Sequence, residues 1–296
     1  MKYAWIDEQR NDYALDAMCS VLKISVSGYR SWKRGGTPDR TRLTDAQMLV
    51  LIRVIHEALT GAYGSPRMVK ELRGRGFPAS KERVERLRRE HGIRARHKRR
   101  YKATTDSTHT LPVAANLLNR DVTPSAPNQT WTSDITDLWT DEGGRYLAIV
   151  LDRFNREVVG GSLQPRMTAD IVTDALTMAW CRRKPAVGLM HHSDRGSQYA
   201  SQPFQHQLRE YGMVCSMSRT GNCWDNAPTE SWFNRFKNER IHGIRYDTRA
   251  AMTAASFEYI EVFYNRMRRH STLGYKSPMQ FLEDWRLAQH DENLVA

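Results

Sequence analysis

The sequence has few cysteines and no long apolar run, and these absences exclude several classes of protein. Its four cysteines are widely spaced, with no Cys-x-x-Cys pair and no accompanying histidine pair, so neither a disulfide framework nor a structural zinc site is predicted. The longest apolar run, residues 146–151, is far shorter than the roughly 20 residues of a membrane-spanning helix. The first ten residues lack the apolar stretch of a signal peptide, so we expect a cytoplasmic protein with no membrane partner.

The charge of the chain is strongly positive and unevenly distributed. The 296 residues carry a formal net charge of +12, and their number allows two or three structural units. Residues 1–120 hold 25 Lys and Arg against 12 Asp and Glu, whereas the remainder holds 20 against 21. Such asymmetry is typical of a protein that binds a polyanion, most often nucleic acid, although a basic surface can also serve solubility alone.

A first helical unit is predicted over residues 1–36. The pattern indicates two or three short helices, a turn, and then a recognition-type helix that carries Tyr29, Arg30 and Lys33. A helix-turn-helix and a small helical hairpin without groove contact fit this stretch equally well. Glycine and proline at residues 35–38 predict a linker after it.

A second helical unit, strongly basic, is predicted over residues 42–103. Thr44 and Ser80 are suitable N-caps, and two helices joined by a short turn indicate another helix-turn-helix-like arrangement. The density of basic residues in its second half favours contact with phosphates over a solvated surface. We therefore predict contacts with the DNA backbone, without sequence preference, from Arg83, Arg86, Arg96, Lys98, Arg99 and Arg100.

The pattern changes from helices to strands after a proline-containing linker at residues 104–126. Three consecutive strands are predicted near residues 131–139, 145–151 and 157–163. Helices and strands then alternate, which gives the order β-β-β-α-β-α-β-α. This order predicts an α/β fold with a mixed sheet: three antiparallel strands, followed by strands that alternate with helices on the faces of the sheet.

Three acidic residues stand out in this part of the chain. Asp134 lies inside the first strand, Asp194 ends the fourth strand, and Glu230 follows Pro228 in the first turn of a helix. Asp137 would point to the opposite face of the strand from Asp134, so we do not expect both in one site. The crevice at the carboxyl ends of parallel strands is where Asp194 would lie, and Glu230 could reach that edge.

The helix of Glu230 is predicted to have one polar and one apolar face. Glu230, Asn234 and Lys237 follow at i, i+4 and i+7, so they share one face of the helix. Trp232 and Phe236 lie on the other side and can pack on a core. Asn234 could orient ligands or DNA, or be a solvated helix position.

Three converging carboxylates would raise one another's pKa unless cations neutralise them. An all-oxygen ligand set suits Mg²⁺ or Mn²⁺ rather than zinc. Two such ions, roughly 3.5 to 4 Å apart, could act on the attacking and leaving oxygens of an in-line phosphoryl transfer. We therefore predict that Asp134, Asp194 and Glu230 bind two divalent ions and are the catalytic residues.

The motifs around these acids resemble those of the transposases with a retroviral-integrase-like core. The resemblance is carried by WTSDIT around Asp134, by HSDRGSQY at residues 192–199, and by NAPTESWFNRFKNER around Glu230, with 35 residues between Asp194 and Glu230. Residues 63–67 and the stretches YNRMRRHS at 264–271 and YKSP at 275–278 are similar to the OrfB half of bacterial insertion-sequence transposases.

This resemblance implies an RNase H-like catalytic core, here residues 127–240, followed by a basic helical extension at 241–296. It implies metal-dependent cleavage of double-stranded DNA at insertion-sequence ends and transfer of the 3′ hydroxyl to target DNA. It also implies a homo-multimer that joins two element ends near the bacterial nucleoid, and a DNA-end contact for Lys237. The zinc module of retroviral integrases and a long zipper are both missing, so an upstream-frame partner or fusion could complete the active form.

Two other functions fit the same residues. A nuclease on the same core would hydrolyse DNA without joining it, and a DNA-binding regulator could retain an inactive core, although all three acids are present. The loop at residues 221–225 could close over substrate or be a surface loop. His192 is expected as a hydrogen-bonded histidine at a strand end, or else as a phosphate contact.

Overall fold

The structure is a computed structural model that describes residues 2–33, 43–96, 112–118, 124–219 and 226–295, with side chains up to residue 291. Within these ranges, helices come first, then three strands, and then alternating helices and strands. The predicted fold class is therefore confirmed. In the same ranges no helix is both long enough and apolar enough to cross a membrane.

The N-terminal helices form a small unit with an apolar cluster of their own, which includes Ile6 and Met18. Tyr29 is fully buried in it, and its hydroxyl group donates a hydrogen bond to Asp7. The same carboxylate receives Lys33 Nζ at 2.6 Å. Tyr29 therefore does not face a DNA groove as predicted, because its ring fills this core. The helices are Lys2–Glu8 (α1), Leu15–Val21 (α2) and Val26–Lys33 (α3).

The second helical unit has the N-caps that the sequence predicts. Thr44 accepts the N–H of Gln47 at 3.3 Å and Gln47 Oε1 accepts the N–H of Thr44, which completes a capping box. Ser80 accepts the N–H of Arg83 at the start of the next basic helix. The helices are Asp45–Ala58 (α4), Ser65–Gly74 (α5) and Lys81–Glu90 (α6).

The sheet has five strands in the order β3-β2-β1-β4-β5. The first three pair antiparallel, while β1 pairs parallel with β4 and β4 pairs parallel with β5. The pairing of β1 with β4 extends over Thr130–Thr132 only. The strands are Thr130–Thr140 (β1), Gly143–Asp152 (β2), Val158–Gln164 (β3), Met190–Ser193 (β4) and Val214–Met217 (β5).

The two faces of the sheet are buried against different helices. On one face, Ala148 and Val150 pack against α7 and α9. A side chain at Gly160 would prevent the close approach of α7, because a Cβ there would lie 2.2 Å from the carbonyl oxygen of Ala175. The helices that follow β3 are Ala169–Arg183 (α7), Ser197–Ala200 (α8), Gln202–Glu210 (α9) and Ala227–Phe236 (α10).

The opposite face is covered by α10, by the C-terminal region and by the second helical unit. Its apolar cluster joins Leu147 and Ile149 of β2 to Trp232 of α10, to Phe263 of the C-terminal region and to Leu72 of α5. Residues from three predicted domains therefore share one core. Helix α10 continues into the π-helical Lys237–Ile241, and the later helices are Arg249–Phe257 (α11), the π-helical Glu258–Met267, and Pro278–Val295 (α12).

The C-terminal region is bound to the edge of the sheet. The side chain of Asn265 accepts the N–H of Val158 and donates to the carbonyl oxygen of Val158, both at 3.0 Å, so that it replaces a neighbouring strand at that residue of β3. The expected basic character of residues 241–296 is wrong for the region as a whole, since it contains seven basic and seven acidic residues.

Candidate active site

Asp134 and Asp194 lie at the same level of the sheet on neighbouring parallel strands. Thr132 of β1 pairs with His192 of β4, and each acidic residue follows its paired residue by two positions. Because side chains alternate along a strand, Asp134 leaves the sheet on the side of Thr132, and the charge of Asp194 acts on its carboxyl group. Asp194 follows the last residue of β4, so it lies at the carboxyl end of the parallel strands, as predicted.

Helix α10 brings Glu230 to the same place. The hydroxyl groups of Thr132 and Thr229 are 2.7 Å apart in the interior, and Asn226 Nδ2 donates to the carbonyl oxygen of Ser133 at 3.1 Å. Trp232 is fully buried behind the helix, which confirms its predicted packing role. Glu230 follows Thr229 directly and remains exposed.

The three carboxylates affect one another electrostatically. Burial, and then the charge of Asp194, raises the pKa of Asp134 well above its ordinary value, and the charge of Glu230 adds to this increase. Partial desolvation, and then the charge of Asp194, also raises the pKa of Glu230, although much of its side chain reaches solvent. Ionised carboxylates are therefore unfavourable here unless positive charge is supplied.

Backbone hydrogen bonds fix the two strand carboxylates. Asp134 Oδ1 accepts the N–H of Ile135 at 2.8 Å, and Asp194 Oδ1 accepts the N–H of Gly196 at 2.9 Å. A Cβ atom at Gly196 would lie 3.0 Å from Asp194 Oδ1, so a glycine allows this tight turn.

The chemistry of the donors fits a divalent cation. All three side chains offer oxygen ligands. Asp134 and Glu230 have raised pKa values, and a nearby cation would lower them. In the described part of the chain, no three Asp, Glu, His or Cys side chains are close enough together to hold one ion. A shared metal centre would therefore require the three side chains to come closer together.

We expect Asp134→Asn to stabilise the metal-free protein at neutral pH. A carboxyl group whose pKa is raised in the folded state lowers the free energy of unfolding as the pH rises above its ordinary pKa, and the amide carries no such penalty. The melting temperature in EDTA should rise by about 2–4 °C for each kcal/mol relieved.

The comparison variant for this measurement is Asp247→Asn, which changes an exposed carboxylate. Its melting temperature should equal that of the parent, and the gain in Asp134→Asn should vanish in acid, where both states are protonated. A lower melting temperature for Asp134→Asn at neutral pH would contradict the prediction.

Lys237 lies beside the carboxylates but is only 7% exposed. Its Nζ donates to Asp137 Oδ1 at 3.1 Å, and its charge lowers the pKa of Asp134. Burial raises the pKa of Asp137, but the hydrogen bond and charge of Lys237 outweigh it, so the net shift is downward. Asn234 is exposed and accepts Asn238 Nδ2 at 2.8 Å.

Basic residues of the second helical unit that were predicted to contact DNA have partners within the chain. Arg83 donates to Asp45 Oδ1 at 2.7 Å, and Arg86 donates to Asp45 Oδ2 at 2.5 Å, so both bind α6 to the start of α4. Arg96 donates to the carbonyl oxygens of Glu239 and His242 at 3.5 and 3.3 Å. Lys98, Arg99 and Arg100, and the loop at 221–225, lie outside the described residues.

The two histidines of β4 are internal. His192 is fully buried, with Nδ1 2.9 Å from Ser216 Oγ and Nε2 3.0 Å from Ser218 Oγ, which confirms the hydrogen-bonded reading. His191 Nε2 lies 2.7 Å from Ser133 Oγ. Burial lowers the pKa of His191 to about 3, so this ring is neutral.

Tyr199 is a residue near the carboxylates that the sequence did not single out. It is 1% exposed, and its hydroxyl group has no hydrogen-bond partner among the described residues. Burial, and then the charges of Asp134 and Asp194, raises its pKa well above the ordinary value. The only signal was its position five residues after Asp194 in HSDRGSQY.

Family comparisons match most of the chain. The HTH-like domain matches residues 42–101, and the integrase core domain matches residues 124–223. A second integrase core domain family matches residues 230–284. The three matches cover the second helical unit, the sheet with its helices, and the C-terminal region.

Curated relatives match over nearly their whole length. The chain is 43% identical over 284 residues, which are 95% of this chain and 98% of the relative, to transposase InsF for insertion sequence IS3A of Escherichia coli (strain K12). It is 42% identical over 268 residues, 90% of this chain and 98% of the relative, to an uncharacterized 31 kDa protein of insertion element IS600 of Shigella sonnei. Both identities are high enough to assign a family.

The similarity to solved structures is weaker. One is a simian T-cell lymphotropic virus intasome in complex with the PP2A regulatory subunit B56 gamma. The match has 15% sequence identity and a TM-score of 0.44, and it covers 78% of this chain and 74% of the chain in that structure. The HTLV-2 integrase catalytic core domain in complex with magnesium has 17% identity and a TM-score of 0.39, and covers 53% of this chain and 97% of that chain.

Proposed function

We propose that Asp134, Asp194 and Glu230 are the catalytic residues of this chain, which belongs to the family of insertion-sequence transposases that includes InsF. Members of this family are enzymes that transfer DNA strands. The observation that carries this proposal is that the two aspartates lie at the same level of the sheet, each two residues beyond the paired Thr132 and His192. Helix α10 packs against β1 and carries Glu230 near them. The reaction is cleavage of DNA at the ends of the element, followed by transfer of the freed 3′ hydroxyl to target DNA.

The carboxylates would hold Mg²⁺ or Mn²⁺, and two ions suit the transfer best. When bound, the ions supply Lewis acidity at the attacking and leaving oxygens of the phosphodiester. Asp134 and Asp194 would bind through their carboxylate oxygens, and their backbone hydrogen bonds would hold both side chains in place. Glu230 would complete the ligand set from α10, and no nucleophile from the protein is required.

The residues around the carboxylates position DNA and the catalytic helix. Two contacts hold the start of α10 on β1: the one between Thr132 and Thr229, and the hydrogen bond from Asn226 to Ser133. The position of this helix therefore sets the position of Glu230. Lys237 would contact the DNA end after exchanging Asp137 for a phosphate, and Asn234 lies on the exposed side of the same helix.

Double-stranded DNA is the partner that the family implies, and the finer assignments are ours. Arg83, Arg86, Arg96, Lys98, Arg99 and Arg100 would contribute positive charge to binding the element ends. A homo-multimer would join two ends in a synaptic complex, acting at the nucleoid in the cytoplasm, with an upstream-frame partner or fusion as a further possibility. We also propose the units 1–36, 42–103, 127–240 and 241–296 with a linker at 104–126.

A strand-transfer assay tests this function. The full chain should join a labelled 3′ end to a second DNA duplex in Mg²⁺ or Mn²⁺, and EDTA should abolish both cleavage and joining. Products of higher molecular mass identify joining, whereas shortened strands alone would indicate a nuclease on the same core. DNA binding without any cleavage in either metal would instead favour a regulator with an inactive core.

A further inference from the structure

A cavity of about 380 Å³ lies in the second helical unit, at the start of α5. The first residues of α5, the last turns of α6 and the turn that follows α6 form its wall. The residues that line it are Gly64, Ser65, Glu85, Arg88, Arg89 and the stretch 92–95, which includes Arg94. Glu85 is the carboxylate of this wall, and its Oε1 lies 3.7 Å from Lys81 Nζ. Three guanidinium groups thus share the wall with one carboxylate, so positive charge predominates.

Arg88 is buried in this wall without a carboxylate partner. It is 4% exposed, and it donates from Nη1 to the carbonyl oxygen of Tyr63 at 2.9 Å and from Nε to that of Ile93 at 3.3 Å. Across the described residues it forms no ion pair, and its Nη2 has no acceptor. Burial lowers the pKa of Arg88, and no neighbouring charge opposes that shift. A buried cation of this kind is costly unless an anion joins it.

The first turn of α5 adds backbone donors to the same wall. Gly64 is the N-cap of this helix and offers no side chain to the first N–H groups, and Pro66 follows in the first turn. The N–H groups at the start of a helix carry partial positive charge and attract anions. Ser65 adds a hydroxyl group, so neutral donors and cations line one cavity.

Arg89 and Arg94 make the cavity accessible from solvent. Both are exposed, and within the described ranges neither takes part in an ion pair. A ligand can therefore enter past these two side chains and reach Arg88 behind them.

We propose that this cavity binds a backbone phosphate of DNA, held by Arg88, Arg89, Arg94 and the first N–H groups of α5. Planar guanidinium groups match the oxygens of a phosphate, and a helix start supplies further donors to the same group. Contacts of this kind give affinity without sequence preference. The site rests on DNA being the substrate in the proposed function, and it shares no residue with the carboxylates.

The turn after α6 connects the cavity to the catalytic helix. Arg96, two residues beyond Arg94, donates to the carbonyl oxygens of Glu239 and His242, which follow α10. A phosphate in the cavity is thereby held on a segment that is bound to the continuation of α10. The site would fix the DNA backbone relative to the helix that carries Glu230.

The test is DNA binding by the full chain and by Gly64→Asp. Gly64 has a φ of −75°, and a Cβ there would lie 3.9 Å from the nearest listed atom, Pro66 Cδ, so aspartate fits without strain. Its carboxylate would cap α5 and place negative charge where the phosphate binds. In EDTA, Gly64→Asp should bind a short mixed-sequence duplex roughly tenfold more weakly or worse, and the slope of log affinity against log salt should fall by about 1. The melting temperature should not fall, because aspartate is a preferred N-cap.

Three further variants complete the comparison. Gly64→Ala adds a Cβ without charge and should bind DNA as the parent does. Arg94→Gln removes an exposed cation from the wall and should reduce affinity and salt slope as Gly64→Asp does. Arg182→Gln removes the same charge from α7, where it pairs with Glu261, and should leave the slope unchanged.

Parental affinity and slope in both Gly64→Asp and Arg94→Gln would overturn the proposal. Inorganic phosphate should raise the melting temperature of the parent more than that of Gly64→Asp. The same difference in phosphate, with parental duplex binding in both variants, would assign the cavity to a free anion and also overturn the proposal.

The outcome is separable from that of the proposed function. Parental DNA binding by the variants, together with metal-dependent cleavage by the parent, would remove the phosphate site alone. Weakened binding by Gly64→Asp and Arg94→Gln, with no cleavage by the parent in either metal, would support the phosphate site and remove the proposed function.

Discussion

Glu230→Gln should lower the rate of DNA cleavage and joining by roughly a thousandfold or more, with the fold intact. The substitution keeps the size of an exposed side chain in the first turn of α10 but removes the negative charge that would hold a cation. The measurement is the initial rate of cleavage and of 3′-end joining on labelled DNA in Mg²⁺. DNA binding should be retained, because one negative charge fewer weakens no contact with phosphate.

The matched control is Glu210→Gln, which neutralises an exposed glutamate at the end of α9. Its rates should equal those of the parent, since its carboxylate lies on the surface of α9, 3.9 Å from the ring of His206. If Glu230→Gln cleaved and joined DNA at the parental rate, Glu230 could not be a catalytic ligand, and the assignment of all three carboxylates would fail.

Arg268→Met should lower the free energy of unfolding by about 3–5 kcal/mol, because it leaves a buried carboxylate without its partner. Arg268 is fully buried and donates two hydrogen bonds to Glu239, which Tyr259 also contacts at 2.8 Å. Burial alone would lower the pKa of Arg268, and the charge of Glu239 reverses that shift. In a chain of this size the melting temperature should fall by roughly 10 °C.

Two further variants separate the buried pair from ordinary surface pairs. Arg182→Gln breaks a partly exposed pair and should cost less than about 1 kcal/mol. The double variant Arg268→Met with Glu239→Leu should recover much of the lost stability, since neither charge of this pair is then left buried without the other. A double variant that is less stable than Arg268→Met would mean that the pair stabilises the fold by more than mutual neutralisation.

Much of the fold follows from local features of the sequence. Thr44 and Ser80 are N-caps because their oxygens meet the first free N–H groups of a helix, and that requirement can be read from neighbouring residues. The apolar strands and the helix of Trp232 follow from periodicity, and the structure confirms their order and their buried sides. Asp134 and Asp194 stood out because an acid inside a strand or directly after it has few structural uses, whereas Glu230 stood out through the motif NAPTESWFNRFKNER around it.

Charged residues with distant partners could not be placed in this way. Arg83 binds Asp45, 38 positions away, and Arg268 binds Glu239, 29 positions away, so nothing local distinguishes them from solvated arginines. Lys237 was expected on an exposed face, but the helix changes to π geometry at this residue and its side chain turns toward Asp137. Pairs of this kind depend on tertiary packing, which neither the hydrophobic pattern nor the helix and strand propensities of the sequence predict.

The core shared by the second helical unit, the sheet and the C-terminal region limits how relatives can exchange the second helical unit. The hydroxyl group of Tyr63 accepts the N–H of Arg269, and Arg269 binds Glu71, so α5 is complementary to a stretch about 200 residues later. A chimera that received residues 42–96 from another transposase would keep a C-terminal stretch selected for different neighbours. Recombination between such genes would yield folded enzymes mainly when both stretches came from the same parent.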